Sequence, residues 1–306
     1  MARPLRIEYP GAVYHITARG NERKKIFRDN SDYLYFLKTI SDGIPQFNVK
    51  LFAYALMPNH YHILIQTLNA NLSKMMHQLN TTYTLYFNQR YNRAGHLFQG
   101  RYHAILVQQN RYLLEVSRYL HLNAYRARIV NDPLQHTWST YRYYVGASIA
   151  PNWLTTHFIL DMIDANANLQ KQLYQRFVND GMTRPQNPFE AVYAQTILGD
   201  SSFIDEISSK VRLKKDSEIP AQKKFMQNVT FEKVLDVVSK VLNEDKTRIV
   251  SSGRFSLTRK IAIYFVRVKT DMSLKDIGRI FNISYSAVAQ LKKSIDQRRQ
   301  NDNALR

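Results

Sequence analysis

The sequence predicts an α+β fold, in which an antiparallel β-sheet covered by helices is followed by an all-α region. Three observations predict it. In residues 11–128, strand-like and helix-like apolar patterns follow the order strand, helix, two strands, helix, strand, helix, as in a ferredoxin-like sheet. Residues 229–295 show helical periodicity. The chain has 306 residues, 44% of them hydrophobic, so about two packed domains are expected.

The strands of the first region are bounded by turn residues. Strands are expected at GAVYHITARG, VKLFAYALM and HYHILIQT, with a further extended segment at HLFQGRYHAILVQ, residues 96–108. The short Met57-Pro58-Asn59 link predicts an antiparallel hairpin between the second and third strands.

Three helices are expected between and after these strands. Asn30 or Ser31 would cap the first helix, which runs through DYLYFLKTI. Asn71 would cap the second, over residues 72–91. The third would cover residues 111–128.

Changes in composition divide the chain into three parts. The segment HTWSTYRYYVG is expected to close a first domain at residues 1–146. Residues 147–225 contain short helical patterns and end in SKVRLKKDSEIPAQKK, which is typical of a helical connector with a charged linker. Four helical segments then form a domain at residues 226–306. Residues 223–306 contain 18 Lys and Arg against 8 Asp and Glu.

The whole chain is strongly basic, with 43 Lys and Arg, 24 Asp and Glu and a net charge of +19. This excess indicates a polyanionic partner, and nucleic acid is favoured over a membrane surface. No apolar run of about 18 residues is present, so no membrane span is expected. The chain has no Cys, which excludes disulfides, thiolate nucleophiles and Cys-ligated zinc.

A His-Tyr-His motif marks a candidate metal site. Alternate residues of a strand share one face, so His60 and His62 project together. Two imidazoles at this spacing can chelate one divalent cation. Two half-buried histidines bonded to the backbone would give the same pattern. Two ligands also do not complete a site, so a third must come from elsewhere.

The third predicted helix offers a further ligand and a nucleophile. Glu115, Tyr119 and Asn123 fall on one stripe at i, i+4 and i+8. Asn123 offers a carbonyl oxygen to a hard cation, and Tyr119 offers a phenol that can attack phosphorus. Spacing alone leaves Tyr112 and Tyr125 as alternatives. Glu115 could accept the proton of the phenol or form an ion pair.

The first region resembles the single-tyrosine HUH transposases over roughly residues 5–145. The similarity lies in IEYPGAVYHITARGNERKKIF, MPNHYHILIQT, FQGRYHAILV, RYLHLNAYRARIV and TWSTY. Within that superfamily these blocks look most like the REP-associated tyrosine transposases. The resemblance implies the HUH single-tyrosine transposase fold, built on a ferredoxin-like sheet. Asn-Ala-Tyr at residues 123–125 departs from the Asn-Pro-Val that is common in the family.

This resemblance implies a specific chemistry. His60 and His62 would bind Mg²⁺ or Mn²⁺, with Asn123 as the third ligand. Tyr119 would attack single-stranded DNA, leaving a 5′-phosphotyrosine and a free 3′-OH. It also implies REP-type palindromic hairpins as substrate and a bacterial, cytoplasmic protein associated with the nucleoid. Both a monomer and a homodimer remain open.

Basic side chains near the first sheet are candidates for phosphate contacts. They are Arg19, Arg23, Lys24 and Arg101. A solvated basic surface explains each of them nearly as well.

The C-terminal segment SLKDIGRIFNISYSAVAQLKKSI has the spacing of a helix-turn-helix. One helix would cover residues 274–281, and Ser284 would cap a recognition helix. The residues expected to contact DNA there are Tyr285, Ser286, Gln290, Lys292 and Lys293. A plain helical bundle that docks on the first domain is the alternative.

The stretch from Arg259 to Ile295 is similar to the DNA-binding domain of bacterial replication initiators. This similarity implies that Arg259 enters the minor groove. The Ser284-Tyr285-Ser286 stretch departs from the Asp-His-Thr of the initiators, so their sequence preference does not transfer.

These observations predict a metal-dependent transposase or endonuclease that cuts and rejoins single-stranded DNA beside hairpins, with duplex contacts from the C-terminal domain. One alternative is an HUH relaxase or replication nickase, which the lack of a second nearby paired tyrosine disfavours. The other is a catalytically silent, sequence-specific DNA-binding regulator, which the intact His60, His62, Tyr119 and Asn123 disfavour.

Overall fold

The structure is a computed structural model that describes residues 7–183, 187–213, 230–251, 253, 256–270, 272 and 274–301. Contacts divide the chain into two compact units, one formed by Arg6–Ile204 and the other containing Asp205–Arg306. The first unit combines a sheet with helices, and the described part of the second is helical. The predicted α+β class is therefore confirmed.

The described residues of the first unit contain a five-stranded sheet. Its strands are β1 (Ala12–Arg19), β2 (Val49–Met57), β3 (His60–Thr67), β4 (His103–Val107) and β5 (Ile197–Leu198). The order across the sheet is β2-β3-β1-β4-β5, with β5 parallel to β4 and the other neighbours antiparallel. The first four strands have the predicted ferredoxin-like order.

The hairpin between β2 and β3 sets the register of the two histidines. Met57 pairs with His60 across a two-residue turn, as predicted. Across β3 and β1, His60 lies opposite Arg19 and His62 lies opposite Thr17. Because strand residues alternate between faces, these four side chains belong to one face of the sheet.

The helices of the first unit vary in length from one turn to about five. Among the described residues they are α1 (Asn30–Phe47), α2 (Leu72–Arg90), α3 (Gln109–His121), α4 (Asn123–Arg126), α5 (Tyr141–Tyr144), α6 (His157–Leu160), α7 (Ala167–Thr183) and α8 (Ser201–Leu213), which continues into the second unit. Short 3₁₀ helices lie at Asn21–Arg23, Pro133–Gln135 and Pro188–Ala191.

The predicted cap of α1 is wrong by one residue. Asp29, rather than Asn30 or Ser31, occupies this position. Its carboxylate accepts hydrogen bonds from the backbone N–H of Ser31 at 3.0 Å and of Asp32 at 3.3 Å. A carboxylate satisfies the otherwise unpaired first N–H groups of a helix and interacts favourably with its dipole.

Two other predicted elements are shorter than expected. The extended segment over residues 96–108 forms a strand only at His103–Val107, and Gly100 before it has φ of +79°. The single helix predicted over residues 111–128 divides at Leu122, so Asn123 becomes the first residue of α4.

Helices cover both faces of the sheet. On one face Tyr61 packs against Phe36 of α1, with ring centroids 4.9 Å apart, and its hydroxyl donates to Asn80 of α2 at 2.7 Å. The other face carries Val13 and Leu64 and packs against the buried stripe of α3, formed by Leu113, Val116 and Leu120. Helix α3 therefore lies on the sheet of its own chain.

Residues beyond 146, where the sequence suggested a connector, pack onto α3. The hydroxyl of Tyr174 on α7 lies 2.8 Å from Oγ of Ser117 and 2.8 Å from Nδ1 of His121, and all three side chains are buried. Strand β5 pairs with β4, and Gln108 and Asp200 exchange hydrogen bonds of 3.0 and 2.9 Å. These contacts place residues 147–204 in the first unit.

The second unit contains the four predicted helices and one that the sequence did not reveal. In the described residues they are α9 (Phe231–Leu242), α10 (Lys246–Ser251), α11 (Leu257–Lys269), α12 (Leu274–Ile280) and α13 (Tyr285–Asn301). Helix α10 is the one that was not predicted. Val238, Ile263, Ile277 and Val288 are among the buried residues of its core.

A tight turn joins α12 to α13, as the helix-turn-helix spacing predicts. Asn282 has φ of +44°, and the N–H of Ile283 donates to the carbonyl of Gly278 at 2.9 Å. A Cβ on Gly278 would lie 2.6 Å from the carbonyl oxygen of Ile283, so this close approach needs glycine. Ser284 Oγ accepts from the N–H of Ala287 at 3.2 Å, which confirms the predicted cap.

Across the part of the chain that the structure describes, no helix has the length and apolar character needed to cross a bilayer.

Candidate active site

His60 and His62 lie side by side on the face of the sheet that α3 covers. Their ring centroids are 5.1 Å apart. His62 is 8% exposed, whereas His60 is half-buried at the end of the strand. Nδ1 of His60 is 2.6 Å from Oδ1 of Asn59 in the hairpin turn, so the turn orients this ring.

Asn123 reaches the two histidines from the α3–α4 junction. Its Nδ2 lies 3.1 Å from Nε2 of His62. Its side chain also hydrogen-bonds to His60. The structure therefore brings together the three residues that the sequence proposed as metal ligands.

Burial keeps both histidines neutral. Burial, with the positive charge of Arg19, lowers the pKa of His60 to about 4, although the hydrogen bond to Asn123 partly opposes this shift. Burial also lowers the pKa of His62 well below its usual value, and His15, His60 and Arg19 add to this effect. Neutral imidazoles are the form that binds metal ions.

The donor set fits a divalent cation only if the amide takes part. Among the described residues, no three His, Cys, Asp or Glu side chains are grouped as they would be around a metal ion. Two imidazole nitrogens and an amide oxygen are nevertheless acceptable ligands for Mn²⁺ or Mg²⁺. His60, His62 and Asn123 thus supply three donor atoms of the kinds that could hold such a cation.

Tyr119 lies beside this group on α3. It is half-buried, and its ring centroid is 6.1 Å from that of His62 in an edge-on arrangement. Among the described ring contacts, Tyr119 is the candidate tyrosine that meets His62, and its role as the nucleophile stays a prediction. Glu115 forms an ion pair with Arg118, so the structure favours the second of its two suggested roles.

Two aromatic residues that the sequence did not assign to the site complete it. Nε2 of His15 lies 2.9 Å from Nδ1 of His62, and the two rings stack at 5.1 Å. Phe189 stacks on the other side of His15 at 4.5 Å and meets the Tyr119 ring edge-on at 4.9 Å. The sequence alone gives neither residue a role in the site.

Arg126 is a third residue that sequence reasoning missed. Its Cζ lies 5.0 Å from the centroid of the Tyr119 ring, and the side chain is half-buried. Arg126 follows Tyr119 by seven residues, so it continues the stripe of Tyr119 and Asn123. This spacing could have revealed it.

The basic residues predicted to bind DNA lie at one end of the sheet. Arg19 pairs with His60 across the sheet, and its side chain is exposed. Arg23 and Lys24 follow in a turn, where Lys24 forms an exposed ion pair with Glu22 at 2.7 Å. Arg101 is exposed in the segment before β4. Their contacts with DNA stay predictions.

In the second unit, Tyr285, Ser286 and Gln290 are exposed on the first turns of α13. Arg259 is only 8% exposed, and its guanidinium donates to the carbonyl oxygen of Phe281 at the end of α12. In this arrangement Arg259 stabilises the turn between α12 and α13. Its contact with the minor groove stays a prediction. The side chains of Lys292 and Lys293 lie outside the described part of the chain.

Part of the first unit matches a known protein family. Residues 9–123 match the family described as "Transposase IS200 like". The match includes His60, His62, Tyr119 and Asn123, the last of which is its final residue. The transposase resemblance recognised in the sequence is confirmed over these residues. Phe189 and Arg126 lie beyond them.

Two curated relatives support the second resemblance. A stretch of 77 residues is 34% identical to the chromosomal replication initiator protein DnaA of Thermosipho melanesiensis, and a stretch of 62 residues is 34% identical to that of Thermosipho africanus. These stretches cover 24% and 19% of this chain. They span only 18% and 14% of the initiators, so the likeness concerns a small part of those proteins.

A solved structure of a REP-associated tyrosine transposase bound to a REP hairpin is also similar. The sequence identity is 14% and the TM-score is 0.42, over 51% of this chain and 92% of the other. The strand order of this chain itself, β2-β3-β1-β4-β5, carries its fold class.

Proposed function

We propose that the first unit cleaves and rejoins single-stranded DNA beside palindromic, REP-like hairpins, through a 5′-phosphotyrosine and with a divalent cation. The observation that carries this proposal is that side chains from β3, α3 and α4 meet at one point. His62 lies 3.1 Å from Asn123, and the Tyr119 ring lies 6.1 Å from the His62 ring. Metal ligands beside a potential nucleophile support a phosphoryl-transfer site.

His60, His62 and Asn123 would hold Mg²⁺ or Mn²⁺. Such a cation, when bound, polarises the phosphate and stabilises the negative charge that develops in the transition state. The two neutral histidines keep their lone pairs available at neutral pH, because burial lowers the pKa of both. Close packing under α3 fixes the positions of the ligands.

Tyr119 would supply the attacking oxygen. Its Oη forms a bond to phosphorus while the bond between phosphorus and the 3′ oxygen breaks. The phenolic proton passes to solvent, and the departing oxygen takes up a proton to become a free 3′-OH. In the rejoining step a 3′-OH attacks the phosphotyrosine, and Tyr119 is released.

Arg126 would assist Tyr119. Its guanidinium carbon lies 5.0 Å from the ring centroid, where a positive charge stabilises the phenolate that forms when the proton leaves. Because the side chain is half-buried, water screens this interaction less than it would on an open surface.

The second unit would bind duplex DNA next to the cleavage site. Three of the residues predicted to contact bases are exposed at the start of α13, and the turn before that helix has the predicted form. The similarity to replication initiators supports this role. A hairpin stem flanked by an unpaired end offers both kinds of DNA.

Covalent trapping tests the proposal. The full chain is mixed with Mn²⁺ and an end-labelled hairpin oligonucleotide that has an unpaired flank, and the products are separated on a denaturing gel. Wild type is expected to form a protein–DNA adduct, and Tyr119→Phe to form none. Tyr112→Phe, a matched change on the same helix, should keep the adduct.

The same gel distinguishes the alternatives. An adduct with Tyr119→Phe would show that another tyrosine is the nucleophile. Binding without any adduct in wild type would favour a DNA-binding regulator.

A further inference from the structure

A groove of about 520 Å³ lies on the opposite side of the sheet from the candidate active site. One wall is the outward side of α2, and the other is the segment at residues 96–102. Its floor is apolar, since Met76, Leu97 and Phe98 are 0%, 4% and 7% exposed. A groove of this size and depth can hold a ligand as large as a nucleotide.

The chemistry of the walls suits a nucleic-acid strand. His77 and His96 are exposed on the two sides, and Arg101 stands at one end. None of the described residues that line the groove is Asp or Glu. Cationic and neutral walls attract a polyanion, and the net charge of +19 adds to this attraction.

The rim of the groove also offers contacts for the flat face of a base. Leu85 on α2 is 65% exposed although it lines the groove, and the exposed Thr81 lies one turn before it. Imidazole rings and apolar side chains beside a basic residue are the usual surface on which unpaired bases stack. The exposed hydroxyl and imidazole groups can bond to base edges.

The backbone connects this groove to the candidate active site. The N–H of Gly20 donates to the carbonyl of Asn59 at 2.8 Å, next to His60, and Gly20 is bridged to Phe98. Phe98 and His60 are therefore about two strand spacings, roughly 10 Å, apart along the end of the sheet. Phe98 packs on Tyr61, whose ring points to the face opposite His60.

We propose that this groove binds an unpaired nucleotide of the DNA strand on which the site acts. The strand would leave the histidines, pass over the end of the sheet beside Arg19 and place one base between α2 and residues 96–102. This inference rests on the proposed function for its substrate, but its binding step needs neither Tyr119 nor the cation.

Binding measurements on full-length Tyr119→Phe test it, because this background should bind DNA without cutting it. Two fluorescent oligonucleotides are titrated in the presence of Mg²⁺: a hairpin with an unpaired flank, and the same hairpin without the flank. Arg101→Ala and the double variant His77→Ala/His96→Ala are compared with Lys74→Ala. Lys74 is exposed on α2 outside the groove, so its variant removes the same charge as Arg101→Ala.

Each groove variant is expected to bind the flanked hairpin about 10-fold more weakly than Lys74→Ala does. All variants should bind the flankless hairpin equally, which also shows that they are folded. Equal affinity of the groove variants and Lys74→Ala for the flanked hairpin would overturn the proposal. An equal loss of affinity for both hairpins would overturn it too, because it would indicate duplex contacts.

The failure of this inference can be told apart from failure of the proposed function. If wild type forms the covalent adduct and the groove variants bind normally, only the groove assignment is wrong. If wild type forms no adduct but the groove variants lose affinity for the flanked hairpin alone, the groove stands and the cleavage chemistry is wrong.

Discussion

Nε2 of His15 lies 2.9 Å from Nδ1 of His62. On the other side of His62, the amide Nδ2 of Asn123 faces Nε2 at 3.1 Å and can only donate. With the amide in this orientation, Nε2 of His62 is the acceptor, and Nδ1 carries the proton that is donated to His15. The hydrogen on His15 then sits on Nδ1, which is buried without a hydrogen-bond partner.

This arrangement fixes the His62 tautomer that carries its hydrogen on Nδ1. Coordination of a metal ion by Nε2 of His62 requires this tautomer. Histidine ligands usually donate their second ring N–H to a neighbouring acceptor, which orients the ring and strengthens the ligand. Here the acceptor is a second histidine. The unpaired Nδ1 of His15 costs stability, so the contact with His62 is better explained by the site than by folding.

Replacement of His15 should therefore weaken metal binding. We expect His15→Ala to lower the affinity for Mn²⁺ by about 10- to 100-fold, because His62 loses the acceptor that orients it. Isothermal titration with Mn²⁺, in the absence of DNA, measures this directly. His157→Ala, which changes an exposed histidine, should bind as wild type does. Unchanged affinity in His15→Ala would show that His62 is oriented by other contacts.

Phe189 should affect the rate of adduct formation more than it affects metal binding. Its ring meets the Tyr119 ring at 4.9 Å and covers His15 at 4.5 Å. We expect Phe189→Ala to slow single-turnover adduct formation by about 10- to 100-fold, since a small displacement of a nucleophile has effects of this size. Phe189→Tyr retains a ring of similar shape and should restore most of the rate. Equal rates for Phe189→Ala and wild type would contradict this role.

His60, His62, Asn123 and Tyr119 became candidates because each belongs to a local pattern, although the choice of Tyr119 over Tyr112 and Tyr125 came from the family resemblance. The histidines alternate on one strand, and the other two follow a helical spacing. The hairpin between β2 and β3 could be predicted for the same reason, since its turn is only two residues long. Such signals depend on neighbours in the sequence and need no knowledge of how the elements pack.

The contacts of His15 and Phe189 could not be predicted in this way. His15 meets His62 only because β1 pairs with β3, which places His15 diagonally opposite, two residues from Thr17. Phe189 reaches the site because α7 packs on α3 and β5 pairs with β4. These are long-range contacts between residues whose own segments carry weak patterns. The boundary suggested at residue 146 came from the segment HTWSTYRYYVG, and a local segment does not reveal such long-range packing.

Arg126 should speed adduct formation because its guanidinium lies beside the Tyr119 ring. We expect Arg126→Gln to slow adduct formation about 10-fold at neutral pH, because the phenolate loses a cation 5.0 Å from its ring. Single-turnover rates of adduct formation check this, with Arg126→Lys, which keeps the positive charge, expected to be intermediate. Equal rates for Arg126→Gln and Arg126→Lys would show that the charge is not what assists Tyr119.

Tyr174 should contribute to the stability of the first unit although it lies beyond the family match. Its hydroxyl bonds to Ser117 and to His121, and all three groups are buried. Tyr174→Phe leaves those two partners without this hydroxyl and should lower the free energy of unfolding by about 1–3 kcal/mol. Urea unfolding followed by circular dichroism measures the change. Gln172→Ala, at an exposed position on the same helix, should be neutral.

Buried histidines should make the first unit sensitive to acid. Burial lowers the pKa of His15 to about 3 and that of His121 to about 3, from a usual value near 6.5. As the pH falls below about 6.5, the unfolded chain takes up protons that the folded chain does not, so stability decreases until the folded-state pKa is reached. At pH 5 each of these two groups should cost about 2 kcal/mol relative to pH 7.5, at 1.36 kcal/mol per pH unit.

Urea unfolding at pH 7.5 and at pH 5, without metal, tests this expectation. His15→Gln cannot titrate, so its loss of stability between the two pH values should be smaller than that of wild type by about 2 kcal/mol. His157→Gln, at an exposed position, should lose as much as wild type does. If His15→Gln and wild type lost the same amount, His15 would have to exchange protons with solvent in the folded state. The ring stack of Phe189, His15 and His62 would then be open rather than closed.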